Sequence, residues 1–242
     1  MKFFCKINKK IWYALALLLV VASAIFLVLY FTVIRPDKQA EDELQKQIEQ
    51  YRSAKLAQYE AENAAYDDYE VEVAFIGDSL TDGYDLNKYY PQYKTSNRGI
   101  GGDTTHGLEE RLQVSLYDLK PQVVVILIGV NNIDTMFENY ESNLKGLEQN
   151  LPDTEVVLLS LTAMGGEHWG ARNQLAAYQN VKIKLLAEKY GYTYVDLYSP
   201  LYDVSIGEVY EGYTVDGGHF THEGYTVLTN EITPVLQKIL GK

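Results

Sequence analysis

Two kinds of hydrophobic pattern divide the chain. From Ile11 to Ile34, 24 residues follow one another without a charged side chain, a length sufficient to cross the hydrocarbon core of a bilayer. From Val71 onward, short apolar runs that end at a turn alternate with longer stretches of helical spacing. The pattern predicts one membrane-spanning segment, followed at some distance by a globular domain.

The globular part has the pattern of an α/β domain. Its short apolar runs lack polar alternation, which is typical of strands buried on both faces of a parallel sheet. The predicted strands are Val71–Ile76, Lys94–Gly99, Val123–Ile128, Glu155–Leu161 and Thr193–Leu197. The predicted helices are Thr104–Leu119, Thr135–Asn150, Asn173–Tyr190 and Glu223–Leu240. Alternation of strand and helix predicts a three-layer α/β fold, whose functional groups collect at the carboxyl ends of the strands. In the third of these helices, four apolar residues share one face: Leu175, Tyr178, Val181 and Leu185.

Charges on either side of the apolar run predict its orientation. Four lysines precede it, Lys2, Lys6, Lys9 and Lys10, and acidic residues follow from Asp37 onward. By the positive-inside rule, residues 1–10 are a cytoplasmic tail, residues 11–34 a signal-anchor in the cell membrane, and the rest lies outside the cytoplasm. The alternative is a signal peptide cleaved after Ala22-Ser23-Ala24, which would release a secreted protein; against it, Ile25–Ile34 stays apolar beyond that site.

Residues 35–70 have the composition of a helical spacer. They contain no Gly, no Pro after Pro36, and many Ala, Glu, Gln and Lys residues. At 1.5 Å per residue, such a helix would hold the following domain about 45 Å from the membrane. The globular domain is assigned to residues 71–242.

Composition excludes several classes of function. The chain has 21 Lys+Arg against 33 Asp+Glu, and beyond Ile34 the balance is 17 against 33, a net charge of −16. Nucleic acid is excluded as a partner because phosphate binding needs a basic face. A single Cys excludes an intrachain disulfide and a Cys-based zinc site, and His168 has no second ligand at metal spacing. We therefore expect no metal.

Candidate chemistry lies at two places in the domain. The first predicted strand ends at Gly77-Asp78-Ser79-Leu80, which puts a Ser at the mouth of the sheet. Asp216-Gly217-Gly218-His219 stands before the last helix, where an acid three residues before a His can fold back to bond one ring nitrogen. That bond would leave the other ring nitrogen free to take the proton of Ser79, which is inert as a nucleophile without such a base. Thr81 stands where the nucleophile elbow of α/β-hydrolases requires Gly, so that motif is excluded.

Two further turns can stabilise an oxyanion. Asn97–Thr105 follows the second predicted strand and contains glycines whose bare N–H groups can face a ligand. Gly129-Val130-Asn131-Asn132 follows the third, where an Asn side chain can donate through its amide nitrogen.

These four blocks, in this order, resemble the SGNH hydrolases, also called GDSL esterases/lipases, over roughly Val71–Leu240. The resemblance implies a flavodoxin-like α/β/α sandwich with a five-stranded parallel sheet of order 2-1-3-4-5. It implies ester hydrolysis without a metal or other cofactor, by a catalytic triad of Ser79, Asp216 and His219. The implied oxyanion donors are the backbone N–H groups of Ser79 and Gly102 and the side chain of Asn131. The third block often ends in Asp in the family but ends in Asn132 here, which leaves the oxyanion donor intact.

The sequence thus predicts a membrane-tethered serine esterase that removes small acyl groups, acetyl above all, with a polysaccharide as the preferred alcohol component. The alternatives are a lipase or lysophospholipase, an O-acyltransferase acting on glycans, and a catalytically silent glycan-binding module. Trp169, in the loop Thr162–Arg172, is either a substrate-binding wall or a side chain that packs its own loop. Asp103 is expected to cap the helix that begins near Thr104.

Overall fold

The computed structural model describes residues 9–242, so most of the predicted cytoplasmic tail, with Lys2 and Lys6, lies outside the described residues. The chain divides into a unit that ends at Ala54 and a unit Lys55–Lys242. Helix α1 (Lys9–Leu29) continues through a π-helical turn (Tyr30–Ile34) into helix α2 (Arg35–Asn63), which extends past the end of the first unit. This continuous helix is the one in the described part of the chain that is long and apolar enough to cross a membrane. Its length and composition fit a membrane anchor and a signal sequence alike.

The second unit contains the predicted parallel sheet. Its strands are β1 (Val73–Gly77), β2 (Thr95–Gly99), β3 (Val123–Leu127), β4 (Glu155–Leu159) and β5 (Thr193–Val195). They lie in the order β2-β1-β3-β4-β5 and every neighbouring pair is parallel, which confirms the predicted fold class and strand order. Every residue of β1 and β3 is buried, as expected for apolar runs covered on both faces.

Helices cover both faces of the sheet. In chain order they are α3 (Ser79–Asp82), α4 (Leu86–Tyr89), α5 (Thr105–Leu112), α6 (Phe137–Asn150), α7 (Gly166–Trp169), α8 (Asn173–Tyr190), α9 (Tyr198–Leu201) and α10 (His222–Leu240). A short hairpin of β6 (Tyr202–Asp203) and β7 (Glu208–Val209) lies outside the main sheet.

Alternate strand residues build two separate cores. Ala74 and Ile76 of β1 pack in the same cluster as residues of α5, α6 and α8, whereas Val73 and Phe75 pack with residues of α10. Successive side chains of a strand point to opposite faces, so each face of the sheet has its own layer of helices.

Helix α8 faces the protein with a mixed side, on which Ala176, Ile183 and Ala187 are buried beside polar amides. Its side chains Tyr178, Val181 and Leu185 are 59%, 58% and 58% exposed, while Gln179 and Asn180 are buried. The Asn180 amide accepts from the Leu161 backbone N–H (2.7 Å) and donates to the Leu161 carbonyl (3.0 Å), and Gln179 donates to the Ile133 carbonyl (2.8 Å). These amides satisfy backbone groups of the loops after β4 and β3, which would otherwise be buried without partners.

The last two turns of α2, Lys55–Asn63, belong to the second unit. Tyr59 is fully buried there. The compact unit therefore begins well before Val71, where the sequence predicts the domain to start.

Candidate active site

The strand order brings three of the four sequence blocks to one edge. Because β2, β1 and β3 are neighbours and parallel, the segments that follow them emerge side by side at their carboxyl ends. The Ile100 N–H donates to the Gly77 carbonyl (3.0 Å), which joins the second block to the first. The Asn131 side-chain amide donates to the Asp103 carbonyl (2.8 Å), which joins the third block to the second.

Ser79 is the first residue of helix α3. Asp78 caps this helix, since its carboxylate accepts from the Leu80 N–H (3.1 Å). Gly77 precedes it where the backbone passes close to the carbonyl of Leu127, leaving no room for a Cβ atom. The turn therefore holds Ser79 half-buried at the end of β1, as its position after an apolar run predicts.

Ser79, His219 and Asp216 form one hydrogen-bonded chain. The Ser79 Oγ lies 3.0 Å from His219 Nε2, and His219 Nδ1 lies 2.7 Å from Asp216 Oδ2. The other oxygen of Asp216 accepts from the backbone N–H groups of Gly218 (2.9 Å) and His219 (2.7 Å). The structure thus brings together the three residues that the sequence predicts as nucleophile, base and acid.

The surroundings of Asp216 keep its carboxylate ionised. Partial desolvation raises the pKa, but the hydrogen bonds from the His219 backbone, the His219 ring and the Gly218 backbone outweigh it and lower the pKa of Asp216 to about 2. Gly217 adopts φ +89°, and its amide plane lies so close to Gly165 that a Cβ atom would overlap the Gly165 carbonyl. A glycine at this position therefore allows the acid to fold back onto the ring.

The predicted oxyanion donors lie at the same strand ends. Gly102 has φ +76°, and a Cβ atom at this residue would have no atom within 4 Å apart from those of its chain neighbours. Asn131 lies in the short 3-10 helix Val130–Asn132, and its bond to the Asp103 carbonyl holds its side chain beside the Gly102 turn. Asn132 accepts from the Thr105 N–H (3.2 Å) and donates to the Thr105 hydroxyl (2.9 Å). An Asp at position 132 could accept from both groups, which explains why either residue serves there.

The prediction for Asp103 is wrong. Thr104 caps helix α5 instead, because its hydroxyl accepts from the Gly107 N–H (3.1 Å). Asp103 pairs with Arg111 at 2.7 Å, and both side chains are 1% exposed. Thr104 caps the helix because its hydroxyl lies at the helix end. Asp103 instead supplies the buried counter-charge that the Arg111 guanidinium requires.

Arg111 also connects the first sequence block to the second, a role that the sequence analysis did not predict. Its guanidinium donates to the carbonyls of Gly77 (3.0 Å) and Arg98 (2.9 Å) and to the Ser115 hydroxyl (3.0 Å). The sequence did indicate that Arg111 is buried. It lies at helical spacing from Leu108 and Leu112, and it therefore falls on the face of α5 that meets the core.

Two further side chains, those of Asn97 and Asp78, brace the nucleophile turn. The Asn97 amide donates to the carbonyl of Thr81 in helix α3 (2.7 Å) and to that of Tyr84 just beyond it (3.0 Å). Asp78 is 1% exposed, and burial raises its pKa to about 7. The hydrogen bond from the Leu80 N–H lowers the pKa of Asp78, and the Asp103 carboxylate raises it further. Electrostatic interactions with His219 and Arg111 also lower the pKa.

A small pocket opens beside Ser79. It is lined by Ser79, Leu80, Val130, Thr162, Met164, Trp169, Gly218 and His219. Its free volume is about 10 Å³, the room that one water molecule needs. The wall is largely apolar and includes Trp169 and Met164.

Trp169 is held against the Asp216–His219 turn. Its indole packs edge-on to the His219 ring, with the centroids 6.0 Å apart, and a Cβ atom on Gly218 would approach it to 2.7 Å. The guanidinium of Arg172 lies 4.9 Å from the indole centroid and donates to the Val130 carbonyl (3.3 Å). The Gly166 N–H of the same segment donates to the Glu208 carboxylate of the hairpin (2.8 Å).

Within residues 9–242, no group of three or more His, Cys, Asp and Glu side chains is arranged to hold a metal ion. His222, the nearest rival base, lies at the start of α10, and its Nδ1 is 2.5 Å from the Tyr89 hydroxyl rather than near Ser79.

Comparisons with known proteins bear on the family of the chain. A model of the GDSL-like Lipase/Acylhydrolase family matches residues 75–227. The α2 subunit of Homo sapiens platelet-activating factor acetylhydrolase IB is 31% identical over 107 residues, which are 40% of this chain and 47% of that protein. The chain thus spans about half the length of this curated relative.

Solved structures give the same result at the level of the fold. A protein from Streptococcus pneumoniae with a provisional description as a platelet activating factor superimposes with a TM-score of 0.73 at 24% identity, over 82% of this chain and 99% of that chain. A GDSL-like lipase from Bacteroides thetaiotaomicron superimposes with a TM-score of 0.66 at 26% identity, over 76% of this chain and 97% of that chain. Since the family model matches more than half of its length, the chain belongs to the GDSL-like lipase/acylhydrolase family, a family of carboxylic ester hydrolases.

Proposed function

We propose that this protein is a membrane-tethered serine esterase that removes small acyl groups, acetyl above all, on the outer side of the cell membrane. The observation that carries the proposal is the continuous hydrogen-bonded chain from Ser79 through His219 to Asp216. A hydroxyl, an imidazole and an ionised carboxylate in this geometry are the parts needed to activate Ser as a nucleophile.

Acylation begins when the Ser79 Oγ attacks the ester carbonyl carbon. His219 Nε2 takes the hydroxyl proton, and the Asp216 carboxylate stabilises the imidazolium through Nδ1. The tetrahedral intermediate then expels the alkoxide, which receives the proton from His219 and leaves as the alcohol. Deacylation repeats the sequence with water: His219 takes a proton from water, the hydroxide attacks the acyl carbon, and Ser79 recovers the proton as the acid departs.

Three donors would hold the oxyanion of each tetrahedral intermediate: the N–H groups of Ser79 and Gly102 and the Asn131 side-chain amide. Their position at adjacent strand ends supports this assignment, as does the contact of Asn131 with the Asp103 carbonyl (2.8 Å). That contact uses one amide hydrogen of Asn131 and leaves the second available for the oxyanion. Donors fixed in this way require no reorganisation when the charge develops.

The pocket beside Ser79 favours a short acyl group. With a free volume of about 10 Å³ and walls of Thr162, Met164 and Trp169, it accepts a methyl-sized group more readily than a long chain. The Homo sapiens relative is named an acetylhydrolase, which supports acetyl as the acyl group of the substrate. For the alcohol component we propose a carbohydrate, from the proposed location outside the membrane.

The proposed location follows from the apolar run Ile11–Ile34 and from the lysines that precede it. Beyond Ile34 the chain has a net charge of −16, which favours solubility and repels anionic surfaces. Detection of the N-terminal residues in the membrane-bound protein by mass spectrometry would support the anchor, and a mature chain that begins near Ile25 would contradict it.

The activity is tested with the full chain in detergent. We expect p-nitrophenyl acetate to be hydrolysed faster than p-nitrophenyl octanoate, and a fluorophosphonate to label the protein. Ser79→Ala should abolish labelling, and Ser79→Ala and His219→Ala should each lower kcat by at least about 10³-fold. His222→Ala is the matched control, because His222 contacts Tyr89 and lies outside the hydrogen-bonded chain. Turnover that survives Ser79→Ala would contradict the proposal.

A further inference from the structure

The end of helix α2 lies against the candidate site, outside the region that the family model matches. The matched residues begin at position 75, whereas α2 ends at Asn63. Its last two turns make specific contacts with the nucleophile helix and with strand β2. Lys55 pairs with Asp82 of α3, and Tyr59 reaches Gly99, the last residue of β2.

Tyr59 is the centre of this contact. Its side chain is fully buried, and its hydroxyl donates to the Gly99 carbonyl at 2.6 Å. The buried guanidinium of Arg98 lies 4.7 Å from the Tyr59 ring centroid, donates to the Tyr59 carbonyl (3.3 Å) and pairs with Glu62 (3.2 Å). A phenol held on both its ring and its hydroxyl has a fixed position relative to β2.

The Tyr59 hydroxyl completes the support of one peptide unit. The carbonyl of the Gly99–Ile100 peptide accepts from Tyr59, and its N–H donates to the Gly77 carbonyl (3.0 Å). The Gly99 N–H donates to the Asn97 side chain (2.9 Å), and the Gly99 backbone lies so close to Asp82 that a Cβ atom would overlap it. This peptide is therefore fixed against α3, the helix that begins with Ser79.

The oxyanion turn starts from that peptide. Gly101 and Gly102 follow directly, so the turn carries no side chain of its own that could pack and fix its direction. At Gly102, with φ +76°, the side where a Cβ atom would stand is open space. The Asp103 N–H donates to the Ile100 carbonyl (3.1 Å) and closes the turn. The position of Ile100 therefore contributes to the direction of the Gly102 N–H, and Tyr59 holds the peptide that precedes Ile100.

We propose that Tyr59 is a positioning residue for the reaction, because its hydroxyl orients the Gly99–Ile100 peptide and, through it, the Gly102 N–H toward the oxyanion. The inference rests on the proposed esterase activity. It assigns a function to the helix that follows the apolar segment: its last turns are part of the catalytic unit.

The test is Tyr59→Phe in the full chain, which removes the hydroxyl and keeps the ring on Arg98. A misdirected donor weakens the transition state more than the bound ester, so we expect kcat to fall about tenfold with KM unchanged within about twofold. A second readout is inhibition by methylboronic acid, in which the Ser79 oxygen bonds to boron, the Ser79 proton passes to His219, and a boronate oxygen occupies the oxyanion position. Its Ki should rise by the same factor as kcat falls.

Tyr192→Phe is the matched control, since the Tyr192 hydroxyl also donates to a backbone carbonyl, that of Leu144 (3.4 Å), but lies before β5 at the opposite edge of the sheet. It should leave kcat and Ki unchanged. A Tyr59→Phe variant with unchanged kcat and Ki, or with only a lowered Tm, would overturn the positioning role while Ser79-dependent turnover persists. A wild-type protein without Ser79-dependent turnover would overturn the proposed function and this inference together.

Discussion

Asp78 and Asp216 are two aspartates whose pKa values His219 lowers, and they lie in opposite surroundings. The side chain of Asp216 is 46% exposed and accepts from two backbone N–H groups and the His219 ring, which lower its pKa to about 2 despite desolvation. Asp78 is buried with one backbone donor, and desolvation raises its pKa to about 7. The number of donors and the exposure of each carboxylate set the two values in opposite directions.

The contrast separates two functions within the site. Asp216 belongs to the group of residues that the substrate and solvent can reach, and there an ionised carboxylate is needed to support His219. Asp78 belongs, with Asp103 and Arg111, to a buried group that holds the strand ends together. Burying a charge in such a group costs free energy unless the charge is paired. Changes in the first group should act on catalysis, and changes in the second on stability and its pH dependence.

The largest effect is expected for Asp216→Asn. The amide cannot stabilise the imidazolium and permits the wrong ring tautomer, so kcat on p-nitrophenyl acetate should fall by about 10³- to 10⁴-fold. Asp203→Asn is the control, because Asp203 is likewise hydrogen-bonded by Ser205 but lies in the hairpin. Equal turnover by Asp216→Asn and Asp203→Asn would remove the distinction between the two aspartates.

Arg111→Met should act on this buried group. It leaves the buried Asp103 carboxylate without its partner, and we expect the free energy of unfolding in urea to fall by about 3–5 kcal/mol. Lys189→Met removes a cation from an exposed pair with Glu141 and should change stability little. Similar losses in the two variants would mean that burial of the Asp103–Arg111 pair does not matter.

Asp78→Asn and Asp216→Asn should change the pH dependence of stability in opposite windows. Because its pKa is raised, Asp78 contributes most to the free energy of unfolding below about pH 4, and this contribution is lost as the pH rises through about 7. The Tm of Asp78→Asn should therefore rise relative to that of the wild type over this interval. The lowered pKa of Asp216 gives a contribution present above about pH 4 and lost as the pH falls toward 2, which Asp216→Asn should lack. Tm measured from pH 2 to 8 tests both, and parallel curves for the three proteins would contradict the assigned shifts.

The smallest effect concerns the pocket wall. Trp169 rests on Gly218 of the turn that carries Asp216, so its removal should open the pocket without disturbing the triad. Trp169→Ala should raise the octanoate-to-acetate ratio of kcat/KM about tenfold, the low end of the discrimination that one methylene gives in a hydrophobic pocket. His168→Ala, at the exposed neighbouring residue, should leave the ratio unchanged; a ratio unchanged in both would exclude Trp169 from acyl selection.

Much of the fold follows from local pattern. Val123–Leu127 is an unbroken apolar run and forms a fully buried strand, and helix α8 has the predicted bounds Asn173–Tyr190. The residues at strand ends could be predicted because a parallel sheet places them at one edge. The buried amide of Asn180 on α8 could not, since its partner is the backbone of Leu161, 19 positions away in the chain.

The supporting residues of the site escaped prediction for the same reason. Asp103 pairs with an arginine eight positions away, and Tyr59 bonds to Gly99 across 40 positions. Such partners are chosen by tertiary packing, which local propensity does not encode. Ser79, His219 and Asp216 could be found because each lies in a short motif at a turn.

The most direct test is to trap the acyl-enzyme. The full chain is mixed with p-nitrophenyl acetate, quenched in acid within one turnover, and digested for mapping by mass spectrometry. The proposed mechanism predicts an acetyl group on the peptide that contains Ser79, absent from Ser79→Ala and formed more slowly in His219→Ala. Acetate released at the wild-type rate by Ser79→Ala, or an acetyl group on another residue whose removal abolishes turnover, would contradict it.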